Sequence, residues 1–441
     1  MNSLRLLWSY TRARRNAGAG RWKTREALER WQDTAVRRHL AWVMRYSPYY
    51  RELYAGLDLR SWRDFPIIGK QEMMDNFSRL NTAGLDLGEA LRVAQRAEET
   101  RDFRPMVKGF TVGLSSGTSG SRGLFAASAA ERAEWAGTLL ARVLPRGLAA
   151  RGQRAALFLR SNSNLYRSIQ SRRLSFHYFD LLRPWEELLE RFEAFAPTLL
   201  VAPPSALRRL AEARTAGRIS ARPDKICAAA EVLEPQDATF IAAAFGHRMV
   251  HGIYQATEGF LGATCAYGTM HLNEDVMVIQ REELGEGRFA PIITDFRRRT
   301  QPVIRHRLND VLRERRTPCP CGSLFTALEA VEGRCDDLLV FERVGGAAEI
   351  FPDFIRLAVI TAHPAIEEYS VVQDPENAGL RVALKTPPPL AGEAARAVEQ
   401  SLRRFWENQR LQPVPLRFEP WSPPEPGQKL RRIFRTPPHP T

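Results

Sequence analysis

Between Thr111 and about Val331, short apolar runs alternate with amphipathic helical stretches, and no other feature of this 441-residue chain narrows its fold as much. The pattern predicts buried strands over Ala155–Leu159, Thr198–Val201, Lys225–Ala229 and Met249–Tyr254. Between them it predicts helices over Trp185–Phe195, Ser205–Ala213 and Gln236–Phe245. Strands separated by helices of this length form layered α/β domains, because each helix lies back across the sheet it connects. Further strands are expected over Asp275–Ile279, Ile292–Asp295 and Val303–His306. Residues 1–105 read as a mainly helical, arginine-rich leader, with a helix over Arg21–Tyr49 and a proline-containing segment at Asp64–Lys70. Composition shifts again near Gly333, so the expected division is a large domain, 1–333, and a small α+β domain, 334–441. The small domain's signals are Leu338–Phe341, Phe354–Thr361, Glu368–Gln373, Arg381–Leu384, Ala394–Asn408 and Leu416–Glu419.

The formal charge is +14, and only six of the 64 basic residues are lysine. The arginines are spread along the chain among acids, with no dense basic arm and no recognition motif, which argues against a nucleic-acid binder. Attraction for anionic small molecules such as nucleotides fits the same charge. Five cysteines, few and odd in number, point to a reducing, cytoplasmic setting rather than a disulfide framework. No apolar run is long enough to span a bilayer. The N-terminus turns polar after Leu4, Leu6, Leu7 and Trp8, so it lacks the apolar core of a secretion signal; these four are expected to pack on the body.

At the head of the alternating region stands Thr-Val-Gly-Leu-Ser-Ser-Gly-Thr-Ser-Gly-Ser-Arg-Gly, residues 111–123. Glycines let a backbone curl until several N–H groups face one point; the hydroxyls add donors and Arg122 a fixed charge. That suits a polyphosphate. It is not a Walker loop, since no Gly-Lys-Ser/Thr follows. Read alone, it is equally a Gly/Ser-rich surface loop.

Four segments follow in order: Tyr254-Gln-Ala-Thr257-Glu258-Gly259, Pro302-Val-Ile-Arg-His-Arg-Leu-Asn-Asp310, Gly333-Arg334-Cys-Asp336-Asp337 and Gly427-Gln-Lys429-Leu-Arg-Arg432. Singly, each has an ordinary reading: Asp310 as a turn residue, Glu258 as a surface acid, Arg334 in a solvated charge cluster, Lys429 as one charge in a basic tail. In this order, over about residues 40–435, they resemble the adenylate-forming ligase superfamily. Within it the chain is most similar to the branch of phenylacetate–CoA ligases and deazaflavin-adenylating synthetases.

The resemblance implies a large layered N-terminal domain with mixed sheets and a small, mobile C-terminal α+β domain. It implies that Ser116, Gly117, Thr118, Ser119 and Gly120, with Arg122, hold the β- and γ-phosphates of ATP. Tyr254 would lie against adenine, with Ala230 and Glu231 in the pocket wall. Thr257 would bond the α-phosphate and Glu258 would ligate Mg²⁺. Asp310 would grip the ribose, Arg334 beside it, Lys429 would be the catalytic lysine, and Asp336 the hinge. The residue types suit a carboxylate attacking the α-phosphate, where the protein supplies positioning and charge. A lysine on a separate lobe suits a reaction in two steps.

The sequence departs from the family at three places. Ser121-Arg122-Gly123 stands where the superfamily usually has proline–lysine–glycine. Gln428 separates Gly427 from Lys429, where glycine and lysine are usually adjacent. The segment Phe341-Glu-Arg-Val-Gly-Gly-Ala-Ala-Glu-Ile lacks the usual compact Arg-Gly turn, and that turn helps shape the thiol-accepting state.

Cys319-Pro-Cys321-Gly322 is a tight paired-thiol turn, and Cys265 and His271 lie upstream, six apart. Three thiolates and an imidazole make a closed tetrahedral zinc set of structural type; four unconnected residues are the plain alternative. Some members of the phenylacetate–CoA ligase branch, which the chain resembles, carry zinc at this place. Cys227 and Cys335 read as ordinary residues.

The acyl pocket is expected from Arg160–Tyr166, Arg172–Tyr178 and Gly252–Gly262, where Tyr166, Phe176, His177, Tyr178 and Phe260 suit a flat or aryl acid, and equally a core. The activity implied is activation of a small carboxylic acid to an acyl-AMP, then thioester formation on CoA or on the phosphopantetheine of an acyl carrier protein. Two alternatives stay open: an adenylyltransferase that stops at AMP transfer, and a non-catalytic nucleotide-binding homologue.

Overall fold

The computed structural model describes residues 2–18, 20–115, 123–159, 171, 173–334, 338–343, 346–374, 379–423 and 431–436. They divide into two compact units: Met1–Leu308 with Leu312–Val331, and Asn309–Val311 with Glu332–Thr441.

The first unit opens with two helices, α1 (Asn2–Ala17) and α2 (Arg25–Tyr46). A hairpin follows, β1 (Thr111–Leu114) with β2 (Leu124–Ala127), so the glycine-rich segment is the loop of a hairpin. Then come β3 (Gln153–Leu159), β4 (Leu174–Asp180), β5 (Leu199–Ala202), β6 (Lys225–Ala229) and β7 (His251–Ala256), all mutually parallel where they pair. β8 (Gly259–Thr264) and β9 (Met270–Leu272) continue the sheet antiparallel. β10 (Met277–Gly285), β11 (Arg288–Asp295), β12 (Val303–Arg307), β13 (Asp310–Glu314) and β14 (Ala327–Arg334) complete it, in the path β10-β11-β13-β14-β9-β8-β7-β6-β5-β3-β4 with β12 on β11.

Side-chain alternation along β3 explains the layers. Ala156 and Phe158 face helices Trp185–Phe195, Pro204–Thr215 and Pro235–Phe245, through Leu188, Phe192, Leu207, Leu210 and Ile241. Ala155 and Leu157 face helix Ala129–Val143, through Ala136, Leu140 and Val143. Both faces are buried, as a parallel sheet between helices requires. The expected α/β class is what forms. The strands around Asp275–Ile279 and Ile292–Asp295 are longer and differently bounded than the pattern predicts, because β10 and β11 extend as a hairpin past the apolar run to a turn at Glu286–Gly287.

α1 corrects one expectation. Of the four N-terminal apolar residues only Leu6 packs on the core; Leu4, Leu7 and Trp8 are 72%, 50% and 54% exposed. The buried face is instead Ser9, Arg12, Ala13 and Asn16. Helix Ala129–Val143 explains this choice. A Cβ built on its Gly137 would lie 2.4 Å from the Leu6 carbonyl oxygen and 2.8 Å from Ser9 Cβ, so α1 crosses it backbone to backbone. Arg142 then donates to the Ala13 carbonyl and, at 2.9 Å, to Asp275, while Asn16 donates to Asp275 at 3.4 Å.

The second unit carries a hairpin, β15 (Leu339–Arg343) with β16 (Gly346–Ile350), and a four-stranded sheet of β17 (Glu368–Gln373), β18 (Leu380–Lys385), β19 (Leu416–Pro420) and β20 (Ile433–Arg435), ordered β19-β18-β17-β20. Helices Pro352–Ile360 and Ala391–Gln409 close its own apolar core around Tyr369, Val382, Val398 and Leu402. This is the expected small α+β arrangement. Just before β20, Arg432 forms a buried bidentate pair with Glu368 at 2.9–3.1 Å. Among the described residues no helix is long and apolar enough to cross a membrane.

Candidate functional site

Thr257 and Glu258 form the two-residue turn of the β7–β8 hairpin, with Ala256 opposite Gly259. A register shift between Tyr254 and Gln255 kinks β7 just before it, a device that re-aims the side chains beyond. Arg298 holds the turn: its Nη1 donates to the Thr257 carbonyl at 2.7 Å. Glu258 Oε1 lies 3.9 Å from Nε2 of His306, on β12; the imidazole is 1% exposed and the carboxylate 14%. Burial pulls the His306 imidazole below its ordinary range; Glu258 opposes this, while Arg298 and Lys70 add to it. A neutral imidazole therefore faces a carboxylate with two cations close by, and Nδ1 of His306 has no hydrogen-bond partner among the described residues.

Lys70 reaches this place through its backbone neighbour. Ile68 bridges to His306 in parallel fashion, receiving a hydrogen bond from Arg307 N–H and donating to the Arg305 carbonyl, and Lys70 begins the next helix, Lys70–Asp75. The lysine stem rests at the neck of the glycine-rich loop: a Cβ on Gly123 would meet Lys70 Cε at 3.0 Å. Ser115 and Gly123 tie that neck, each backbone N–H donating to the other residue at 2.7 Å. Ser116, Gly117, Thr118, Ser119, Gly120 and Arg122 lie outside the described residues, as do Asp336, Lys429, Tyr166 and the rest of 160–170.

Ala230, one residue past β6, adopts a left-handed backbone at φ 70°, costly for a residue with a Cβ. Glu231 follows, and its Oε2 accepts from the Ser205 N–H at 3.2 Å in the first turn of helix Pro204–Thr215. The residue that caps this helix is Pro203, with no side-chain acceptor to offer, so Glu231 fills that need. Tyr254 packs partly buried against Ile279, Leu272 and Phe289. Asp310 opens β13 and Arg334 ends β14; both fall in the second unit. His177 stacks on Phe195 with ring centroids 4.1 Å apart, and Phe176 is in the core. Tyr178 donates to the Leu159 carbonyl at 2.9 Å and accepts from Arg101 at 3.1 Å.

Cys265, His271, Cys319 and Cys321 come together, with one ligand atom from each lying within 4.8 Å of all the others. Cys265 leaves β8 into a turn closed by Gly268 N–H on the Cys265 carbonyl, and the turn returns the chain through His271 on β9. His271 Nδ1 faces the Phe325 carbonyl at 3.0 Å, which fixes Nδ1 as the protonated nitrogen; Nε2 then presents its lone pair 3.3 Å from Cys321 Sγ. Cys319 closes its own turn through Gly322 N–H, and its Sγ lies 3.7 Å from that of Cys265. Burial opposes ionisation of Cys319, but hydrogen bonds from Thr269 and the Cys321 N–H are among the contacts that bring its thiol down to about 6. The donor set, two turns and a strand with a carbonyl-oriented imidazole, fits a tetrahedral zinc.

Lys70, His306 and Arg298 were not expected from sequence. A signal for Lys70 existed: it is one of only six lysines in an arginine-rich chain. His306 lay inside a motif noted for its terminal Asp310, and nothing in the sequence marks its approach to Glu258.

No protein-family model matches the chain, and no curated protein matches it by sequence. Solved structures do. 2-Hydroxyisobutyryl-CoA ligase, in the postadenylation state with R3-HIB-AMP, superposes with a TM-score of 0.69 at 18% identity, over 96% of this chain and 91% of that one. The acyl acid amido synthetase AtGH3.15 with 2,4-DB gives 0.55 at 13%, over 89% and 86%. The anthranilate CoA ligase AuaEII with anthranoyl-AMP gives 0.52 at 13%, over 72% and 65%. The fold is the one these adenylate-forming ligases share.

Proposed function

We propose that a chain with this fold activates a carboxylic acid with ATP. A carboxylate oxygen attacks the α-phosphorus, the bond to pyrophosphate breaks, and an acyl-AMP forms. A thiolate, of CoA or of a carrier protein's phosphopantetheine, then displaces AMP to leave a thioester. The observation that carries this reading is the convergence of the Thr257–Glu258 turn, His306, Arg298 and Lys70 beside the neck of the glycine-rich loop.

In this reading Glu258 holds Mg²⁺, which neutralises phosphate charge when bound. Thr257 bonds the α-phosphate, and Arg298 fixes the backbone that presents it. Residues 116–122 cradle the β- and γ-phosphates, with Lys70 adding a cation where the usual loop lysine is replaced by Arg122. Tyr254 and Glu231 border adenine, Asp310 and Arg334 hold the ribose, Lys429 stabilises the adenylation transition state, and Asp336 is the hinge. The aromatic residues near Thr257 favour a flat or aryl acid. Cys265, His271, Cys319 and Cys321 hold a structural zinc, supported by the orientation of His271. Thiols kept for a metal suit the reducing cytoplasm.

The test is pyrophosphate release across a panel of carboxylates with ATP and Mg²⁺, with and without CoA. The reading expects release with one acid class and a thioester with CoA. A stable AMP adduct indifferent to thiols would replace the second step with adenylyl transfer. ATP binding without release across the panel and without CoA or carrier dependence would remove the ligase reading.

A further inference from the structure

The Thr257 turn borders a cleft whose empty volume, open solvent at its mouth included, is about 740 Å³. Phe125, Trp135, Phe260 and Val276 give it apolar walls. Three arginines also line it, Arg12 from α1 and Arg297 and Arg298 from the segment after β11, together with three acids, Glu131, Glu134 and Asp295.

Arg12 is 8% exposed, and none of its three guanidinium nitrogens has a hydrogen-bond partner among the described residues. Nε of Arg297 also lacks one. Burial lowers the Arg12 pKa to about 10, so the group is still a cation at neutral pH. Asp275 and Glu134 lie close enough to favour its charge, but no acid hydrogen-bonds it, and each has partners of its own. Glu131 accepts from the backbone N–H groups of Arg299 and Thr300, and Asp295 from those of Arg297 and Arg298. Asp275 takes Arg142 and Asn16, and Glu134 lies 3.6 Å from Arg5. A buried guanidinium with no acceptor is costly, and a planar two-oxygen anion matches its fork of donors.

We propose that the acid activated here is a dicarboxylic acid with an apolar spacer: one carboxylate reacts at Thr257, and the other is received by Arg12, with Arg297 beside it. This rests on the ligase reading above and adds the substrate class. The Arg12 side chain lines the cleft, and receiving the carboxylate requires its buried head to rotate toward it on its long stem. The Trp8 ring, about half exposed, lies 4.5 Å from the guanidinium and is its one aromatic neighbour among the described residues.

The experiment compares matched probes, benzoate with terephthalate and hexanoate with adipate, in pyrophosphate release by the full chain. Wild type, Arg12→Gln and Arg12→Lys are measured, with thermal melting of each. A charge-assisted pair predicts a dicarboxylate preference of about 10- to 100-fold in kcat/KM. In Arg12→Gln that preference falls to near unity through KM, and Arg12→Lys restores part of it. Equal or better turnover of the monoacids by wild type overturns the proposal and leaves the ligase reading standing. So does an Arg12→Gln variant that melts earlier and slows both acids alike, which makes Arg12 a brace for α1. Calorimetric binding of terephthalate and adipate decides the site if no acid releases pyrophosphate. Binding lost in Arg12→Gln then keeps the anion site while the ligase reading falls, and absent binding overturns both.

Discussion

Strand β8 carries a different chemistry at each end. Thr257 and Glu258 precede it and Cys265 follows it. At the cysteine end three of the four proposed ligands are already held by their own protein partners: the His271 Nδ1 by a carbonyl, Cys265 and Cys319 by closed turns. At the glutamate end polar groups stand without partners among the described residues, Nδ1 of His306 and the Arg12 head among them. A site that keeps one resident ion can be closed and rigid. A site that admits and releases ligands must keep donors and acceptors that the fold itself does not use, since native proteins otherwise pair nearly all buried polar atoms. The contrast predicts that damage at one end shows as lost stability and at the other as lost rate.

On the zinc reading proposed above, removing the metal is the largest expected effect. Cys321→Ser, or a chelator, should release zinc present at about one equivalent and lower unfolding free energy by more than about 4 kcal/mol, the range associated with loss of a structural metal. Metal analysis alongside denaturant unfolding reads both. Full stability without zinc would place the two ends of β8 in the same class.

Glu258→Gln should do the opposite. Among the described residues the carboxylate makes one distant polar contact, 3.9 Å to His306. Turnover should fall by about 10²- to 10³-fold, as when a charge aimed at a transition state is removed, while the melting curve and zinc content stay as in wild type. Steady-state pyrophosphate release on protein of known zinc content measures it; a variant that melts early instead would make Glu258 a structural acid.

The two ends also differ in how far the sequence disclosed them. Residue type and the family resemblance, more than spacing, suggested grouping Cys265, His271, Cys319 and Cys321, and the fold does bring the four together. The parallel strands and their covering helices were legible too: β6 and helix Trp185–Phe195 have the bounds their apolar patterns give. What surrounds Glu258 was not. Lys70, Arg298 and His306 come from three separated segments, and only the Ile68–His306 bridge and the β11–β12 register bring them there. Long-range register is set by the whole sheet, and no local window contains it. The α1 face was misread because the contact that selects it is a glycine on another helix, Gly137.

That glycine gives a smaller test. Gly137→Ala places a methyl group 2.4 Å from the Leu6 carbonyl oxygen, so α1 must lift. Overpacking of this kind costs about 1–3 kcal/mol. Because α1 carries Arg12, the variant should lose part of the dicarboxylate preference while keeping its zinc. Urea unfolding and the terephthalate-to-benzoate ratio report the two effects, and a variant of unchanged stability would mean that α1 yields easily and does not fix Arg12.

The smallest effect is in the pH dependence, and its sign follows from burial. His306 is held neutral in the fold, its pKa below the unfolded value near 6.5. As pH falls through 6.5 the unfolded chain takes up a proton that the folded chain refuses, so stability drops, by at most about 1.4 kcal/mol per pH unit for one group, until the folded pKa is reached. His39 and His251, pulled by burial to about 3 and about 4, add the same trend. Asp295 runs the other way: burial raises it to about 6, so the stability it contributes is present in acid and lost as pH rises through 6. With zinc bound as proposed, the cysteine end would also weaken in acid, since thiolates that gain protons release metal. Wild type and His306→Gln, unfolded in urea at pH 7, 6 and 5 with zinc in excess, share every one of these terms except the first. The variant should therefore lose less stability on acidification, by up to one proton's slope. Parallel curves would mean that Glu258 at 3.9 Å offsets the burial of the imidazole, and that the glutamate end of β8 is better satisfied by the fold than its unpartnered Nδ1 implies.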